Sequence, residues 1–409
     1  MTVETDPETP APVVPAFDGP CIANVVPALL AQAYGANGAG GPRGVGALPA
    51  WVPAPVAHGR QHVLLVLDGL GWEQLQARPR VAPTLATAAG GPITSVAPST
   101  TAAALTSLTT GLPPAVHGVV GYRVRSGQAI LNVLSWRRAG VDVRRLVPPR
   151  TFQPHPTFPV PRGTGLDGPG PATALVAPVA APTPVPVVSK SDYATTGFTA
   201  AHLGDAVLHG IRTPSGLVVE VTRILAGGAP FVYAYYDGID RVAHAYGLGD
   251  HYDAELRSAD RLVADLLDAL PPGAVLTVTA DHGQVDVGAA VEVLGGDLMD
   301  GVDLLSGEGR FRWLHVRPGA TADVAEAAAA AFGHLAWVRT REQVIDDGWL
   351  GGEPVPEVAD RLGDVVLAPF APTAFLDPAD TGEQRLFARH GSLTEAEMLV
   401  PLVAWDPNG

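Results

Sequence analysis

A chain of 409 residues, 47% of them hydrophobic, can bury a large core; its length permits two or three domains, or one large α/β domain with an insertion. The formal net charge of -15, with Lys190 the only lysine, excludes a general electrostatic attraction for nucleic acid or an anionic membrane. Cys21 is the only cysteine, which excludes an intrachain disulfide and a cysteine-rich zinc module, so any metal must be held by oxygen and imidazole nitrogen.

Residues 1–20 are acidic and proline-rich and read as a disordered tail, without the basic start and apolar stretch of a signal peptide. No charge-free run has the apolar continuity over roughly 18 residues that a membrane span needs. The expectation is a soluble, cytoplasmic protein with no membrane partner and no nucleic acid as a stable partner. Ile22, Val25, Val26, Leu29 and Leu30 recur at helical spacing and predict a helix over 21–34. Glycine and proline over 35–55 mark a loop, and the apolar run 62–67 is the first core strand. A short helix over 72–77 follows, then a strand over 93–97 and a helix over 99–110. Ser99 or Thr100 could cap that helix, placing Thr101 in its first turn.

Over 128–187 the pattern weakens and proline is frequent, as in an insertion or lid. Beyond it come a strand over 185–188, helices over 199–210 and 217–226, a strand over 231–236 and a helix over 254–269. The buried-strand pattern of 275–280 is followed by a strand over 311–316, an alanine-rich helix over 320–332, and late strands over 364–368 and 398–404. Strands alternating with helices predict an α/β fold with a mostly parallel central sheet and helices on both faces. Residues 21–409 read as a single catalytic domain.

The side chains suited to chemistry stand where strands run into turns or helix starts. Asp68 ends the first apolar strand and precedes Gly69; Asp281 and His282 end the 275–280 strand and precede Gly283. In an open α/β sheet the carboxyl ends of the strands are where ligands bind. Asp240 and His244 are four residues apart, so on a helical turn they share one face and can reach a single cation, although His244 could equally pair with Asp237 or Asp240 without metal. Thr101 follows Pro98-Ser99-Thr100, placing hydroxyls at a helix N-terminus where backbone N–H groups and the dipole favour an anion; Thr100 is its neighbouring competitor. Carboxylates and imidazoles brought to one edge are the ingredients of a two-metal site, and local cations can outweigh the acidic overall field for a phosphate substrate.

With these residues in order, the chain resembles the alkaline phosphatase superfamily, and more closely its nucleotide pyrophosphatase/phosphodiesterase branch. The segment from Pro98 through Thr110-Gly111 to His117-Gly118 resembles that branch's nucleophile segment, which puts the nucleophile on Thr101. The branch's Asp-x-x-x-His motif falls on Asp240 and His244, its Asp-His-Gly on Asp281, His282 and Gly283, and its late His-Gly on His390 and Gly391. The resemblance implies an alkaline-phosphatase-like fold and two divalent cations, Zn or Mn. It puts Asp240, His244 and His390 on one cation and Asp68, Thr101, Asp281 and His282 on the other, with Tyr235 lining the substrate pocket. His117 matches a family residue that orients a turn.

Two positions depart from the pattern. An aromatic residue directly after the nucleophile and an asparagine shortly beyond it are replaced by Ala102 and Ala104. The resemblance therefore implies a metal-dependent phosphoric ester hydrolase acting on a small-molecule phosphate ester through a phosphothreonine. Its first form is a phosphodiesterase or nucleotide pyrophosphatase with weak discrimination among nucleobases. A phosphomonoesterase, a phosphonate hydrolase and a phosphosugar mutase share the same site, and a catalytically silent metal-binding protein is the reading from a different class.

Overall fold

Val63 to Leu67 are all apolar, the pattern of a strand covered on both faces, and each is buried. In the computed structural model, which describes residues 9–35, 48–160, 179–181, 184–380, 382 and 385–406, Gln61–Leu67 (β1) is the middle strand of a seven-stranded sheet. The other strands are Ala89–Thr94 (β2), Pro186–Lys190 (β3), Val207–Ile211 (β4), Phe231–Tyr236 (β5), Ala274–Thr279 (β6) and Leu399–Ala404 (β7). Their spatial order is β4-β3-β5-β1-β6-β7-β2. Only β7 runs antiparallel, to β6 and β2 alike, so the sheet is largely parallel.

The register decides where the chemistry collects. Val66 of β1 lies opposite Tyr235 of β5 and Thr279 of β6. The three strands therefore end side by side, and Asp68, Asp237 and Asp281 follow them at one edge. Helices Val25–Tyr34 (α1), Thr101–Thr110 (α2), Gly197–His202 (α3), Pro214–Ala226 (α4), Gly238–Tyr246 (α5) and Asp250–Ala269 (α6) flank the sheet. No helix among the described residues is long and apolar enough to cross a membrane.

A second, antiparallel sheet of Val302–Glu308, Phe311–Val316, Val365–Pro369 and Ala336–Thr340, in that spatial order, has an apolar cluster of its own around Leu314, Leu367 and Phe375. Within residues 128–187, where an insertion or lid was expected, Ala129–Asn132, Arg137–Arg138 and Val141–Asp142 continue a small sheet begun by Arg123–Ser126. Residues 161–178 and 182–183 of that stretch lie outside the described residues.

Two expectations need correction. The helix predicted over 199–210 ends at His202, and Val207–Ile211 is a strand, because Leu208 and His209 pair with Val187 and Val188 of β3. That pairing is long-range and overrides the local apolar spacing. Residues 9–20 differ from the expected disordered tail: Phe17 is buried, the Val13 N–H donates to Leu393 O (2.9 Å), and Trp337 Nε1 donates to Pro10 O (2.7 Å). Residues 1–8 lie outside the described residues.

Candidate active site

Each site residue is held by the backbone that carries it. The Asp68 N–H donates to Tyr236 O (2.9 Å) and the Asp240 N–H donates to Asp68 O (3.1 Å), which ties the end of β1 to the first turn of α5. Gly69 makes this approach possible: its φ is +76°, and a Cβ there would lie 2.9 Å from Asp240 Cβ. Gly283 is crowded in the same way, since a Cβ would stand 2.0 Å from Ala396 O. Asp240 and His244 share one face of α5, while His390 follows the short strand Ala388–Arg389.

Three imidazoles are fixed alike. His244 Nδ1 lies 2.7 Å from Ala388 O, His282 Nδ1 3.0 Å from Gly283 O, and His390 Nδ1 2.9 Å from Ser99 O. A carbonyl only accepts, so each ring carries a proton on Nδ1, which leaves Nε2 as the nitrogen that can face a metal. Those Nε2 atoms face carboxylates: His244 Nε2 to Asp240 Oδ1 3.3 Å, His390 Nε2 to Asp240 Oδ1 3.8 Å, His282 Nε2 to Asp68 Oδ1 3.4 Å and to Asp281 Oδ2 3.5 Å. Asp68 Oδ1 and Asp281 Oδ2 are buried and have no hydrogen-bond donor.

This donor set fits divalent cations, which accept imidazole nitrogen and carboxylate oxygen together. Two groups are close enough to share an ion each: Asp240, His244 and His390, and Asp68, Asp240 and His282. Asp240 belongs to both, while Asp281 stands beside His282 and accepts the Gly69 N–H on Oδ1 (3.2 Å). Burial, then the neighbouring charges of Asp281 and Asp240, pushes the Asp68 carboxyl well above the usual range. Burial chiefly, with His282 and His244 beside it, pushes the His390 imidazole well below its usual value.

Thr101 begins a ten-residue helix, and its Oγ1 lies 3.1 Å from His282 Nε2. Thr100 is the N-cap residue, buried and without a side-chain cap bond. Ser99 serves the site through its backbone, by accepting from His390. Tyr235 lines the cavity beside Thr101 and its hydroxyl donates to Asp68 Oδ2. His117 turns the chain after α2, donating from Nε2 to Ser107 Oγ (2.8 Å) and accepting the Val119 N–H on Nδ1 (3.1 Å).

Sequence reasoning missed Gln284, whose buried Nε2 donates to Asp240 Oδ1 (2.6 Å). Its place directly after Asp281-His282-Gly283 was the available signal. Lys190 was also missed; it pairs with Asp237 (2.7 Å), which the Tyr193 hydroxyl also reaches. That contact joins β3 to β5 across the sheet, where nothing local in sequence points to it. Ala102 and Ala104 are fully buried in α2.

A family model described as type I phosphodiesterase / nucleotide pyrophosphatase matches residues 62–393. No curated protein matches the chain. Among solved structures, murine ectonucleotide pyrophosphatase / phosphodiesterase 5 is 15% identical, with a TM-score of 0.57 over 84% of this chain and 87% of that one. Its inactive variant in complex with AMP gives the same identity and TM-score over 85% and 88%. Phosphonoacetate hydrolase from Sinorhizobium meliloti, in complex with phosphonoformate, is 20% identical with a TM-score of 0.57 over 85% and 90%.

Proposed function

The chain belongs to the type I phosphodiesterase / nucleotide pyrophosphatase family and is a hydrolase of the alkaline phosphatase superfamily, and from that premise we propose that it is a phosphodiesterase that uses Thr101 as its nucleophile. One observation carries the reading. Three imidazoles with Nδ1 committed to carbonyls turn Nε2 toward buried aspartates, and one of them, His282, lies 3.1 Å from the Thr101 hydroxyl at a helix N-terminus.

Asp240, His244 and His390 would hold one divalent cation, and Asp68, Asp281 and His282 the other, with Asp240 near both. Bound there, divalent cations, zinc or manganese, supply Lewis acidity that eases ionisation of a hydroxyl and offsets charge developing on phosphoryl and leaving oxygens. The protein's own groups do the rest. The N-terminus of α2 turns its free N–H groups and the positive end of its dipole toward the anionic phosphoryl group. Thr101 Oγ attacks phosphorus in line; its bond to phosphorus forms as the ester P–O bond breaks, and the alcohol leaves with a proton. Water then cleaves the phosphothreonine, restoring the hydroxyl and releasing the phosphate monoester. Gln284 holds Asp240 in place, and Tyr235 holds Asp68.

The test is a panel of phosphate mono- and diesters assayed on protein of measured zinc and manganese content, wild type beside Thr101→Ala. Diester turnover by the wild type alone supports the reading; turnover by both proteins defeats the covalent route.

A further inference from the structure

A cavity of about 240 Å³ opens beside the nucleophile, and its wall includes Asp68, Thr101 and Tyr235. Away from those groups the lining is mainly apolar: Leu105 from α2, Val187 from β3, Phe198 and Leu203 at α3, Leu208 from β4, and Leu134 from the 128–187 stretch. Asp237 on this wall is already paired with Lys190. Arg241, the one cation on the lining among the described residues, lies 3.7 Å from Asp237. Thr196 Oγ1 is committed to capping α3, accepting the Thr199 N–H at 3.0 Å.

His202 lines the same cavity and is buried, stacked on Phe198 with ring centroids 4.0 Å apart and planes 18° apart. Its Nδ1 lies 2.7 Å from Phe198 O, so the proton sits on Nδ1 and Nε2 is a bare acceptor with no protein partner. Burial pushes the imidazole down to about 4, which keeps the ring neutral at physiological pH. Ser189 also lines the cavity, but its hydroxyl can either donate or accept. His202 Nε2 can only accept.

We propose that this cavity holds the organic group of the ester and selects a compact, uncharged group, aryl or alicyclic, that carries one hydrogen-bond donor directed at His202 Nε2. The inference rests on the assignment of Thr101 as nucleophile, because Thr101 is what makes the cavity a substrate site. An apolar wall gains from covering a ring, and a buried acceptor left without a donor is penalised, so the pair of features selects a donor-bearing ring over a bare one.

Two measurements test it. Isothermal titration of metal-loaded Thr101→Ala protein with methylphosphonate, phenylphosphonate and 3-hydroxyphenylphosphonate should show phenyl binding at least about tenfold tighter than methyl, and hydroxyphenyl about fivefold tighter again. In the wild type, kcat/KM for bis(3-hydroxyphenyl) phosphate over diphenyl phosphate should show the same preference, and His202→Phe, which keeps the ring and its stack, should bring that ratio near one. Equal binding of the three phosphonates overturns the inference. So does a ratio that His202→Phe leaves unchanged, or a nucleotide diester preferred to both aryl esters. If His202→Phe fails to fold, the wild-type ratio and the titrations still decide. Absence of any ester turnover would strike the hydrolase reading itself, whereas turnover without discrimination strikes only this one.

Discussion

Arg310 and Glu397 form an ion pair with both side chains fully buried, Nε to Oε1 at 2.6 Å and Nη2 to Oε2 at 2.8 Å. Arg310 stands in the turn between the first two strands of the second sheet, yet Glu397 serves the ligand turns. Its carboxylate accepts the Ser392 N–H (3.0 Å), two residues from His390, and its carbonyl accepts the Gly283 N–H (2.8 Å), next to His282. Replacing Arg310 with Met removes both charge-assisted bonds and also the donors to Ala371 O, Thr373 O and Pro369 O. What remains is a buried carboxylate with two lesser donors, Ser392 N–H and the Thr394 hydroxyl. Breaking one partner of a buried pair costs about 3–5 kcal/mol. The exposed pair Arg317–Asp303 at 3.1 Å supplies the contrast, because its loss should cost at most about 1 kcal/mol. Urea unfolding of Arg310→Met and Arg317→Ala reads the stability difference. Zinc titration of the folded Arg310→Met protein should also show weaker binding, since Glu397, which holds the turns of His390 and His282, loses the guanidinium that fixes it. A stability loss under about 1 kcal/mol with unchanged zinc affinity would refute the argument.

The remaining predictions concern the metal groups, acid stability and the nucleophile helix. Asp240→Ala should lower bound metal by more than His244→Ala or His390→Ala does, because Asp240 lies within reach of both groups; equal losses by elemental analysis would remove its shared role. Between pH 6.5 and about 4 the unfolded chain protonates His202 and the native protein does not, so native stability falls as pH falls through that window. Over it the contribution amounts to roughly 3 kcal/mol, and His202→Phe should flatten the acid limb of a pH series of urea melts; an unchanged limb would count against burial as the cause. Ala102→Phe should destabilise by about 1–3 kcal/mol through overpacking, with no new base selectivity, because Ala102 is fully buried in α2. A folded, nucleotide-selective Ala102→Phe enzyme would show the helix to be more open than this.

What was legible in the sequence follows from how the sheet is buried. Central parallel strands are covered on both faces, so β1 reads as an apolar run from Val63 and β6 as an apolar run broken only by threonines, and the first charged residues after them, Asp68 and Asp281, mark the edge where ligands gather. The spacing of Asp240 and His244 was equally local. Elements that depend on distant partners were not legible. Val207–Ile211 is a strand only because β3 lies beside it, and residues 9–20 lie ordered on contacts such as Val13 with Leu393. The second sheet's separate core joins residues from Leu294 to Phe375, which no single stretch of sequence announces. The imidazole tautomers depend on carbonyls that only the fold supplies, in the case of His390 one almost three hundred residues earlier in the chain. The family's aromatic position also translated poorly, since Ala102 faces the core.

The central claim is that Thr101 carries the phosphoryl group. Acid quenching of metal-loaded enzyme during turnover of an aryl phosphodiester, followed by peptide mass spectrometry, measures it directly. The account predicts a phosphorylated residue at Thr101, present in the wild type and missing from Thr101→Ala, which should still fold and bind metal. Phosphate on Thr100, or steady diester turnover by Thr101→Ala, would contradict it.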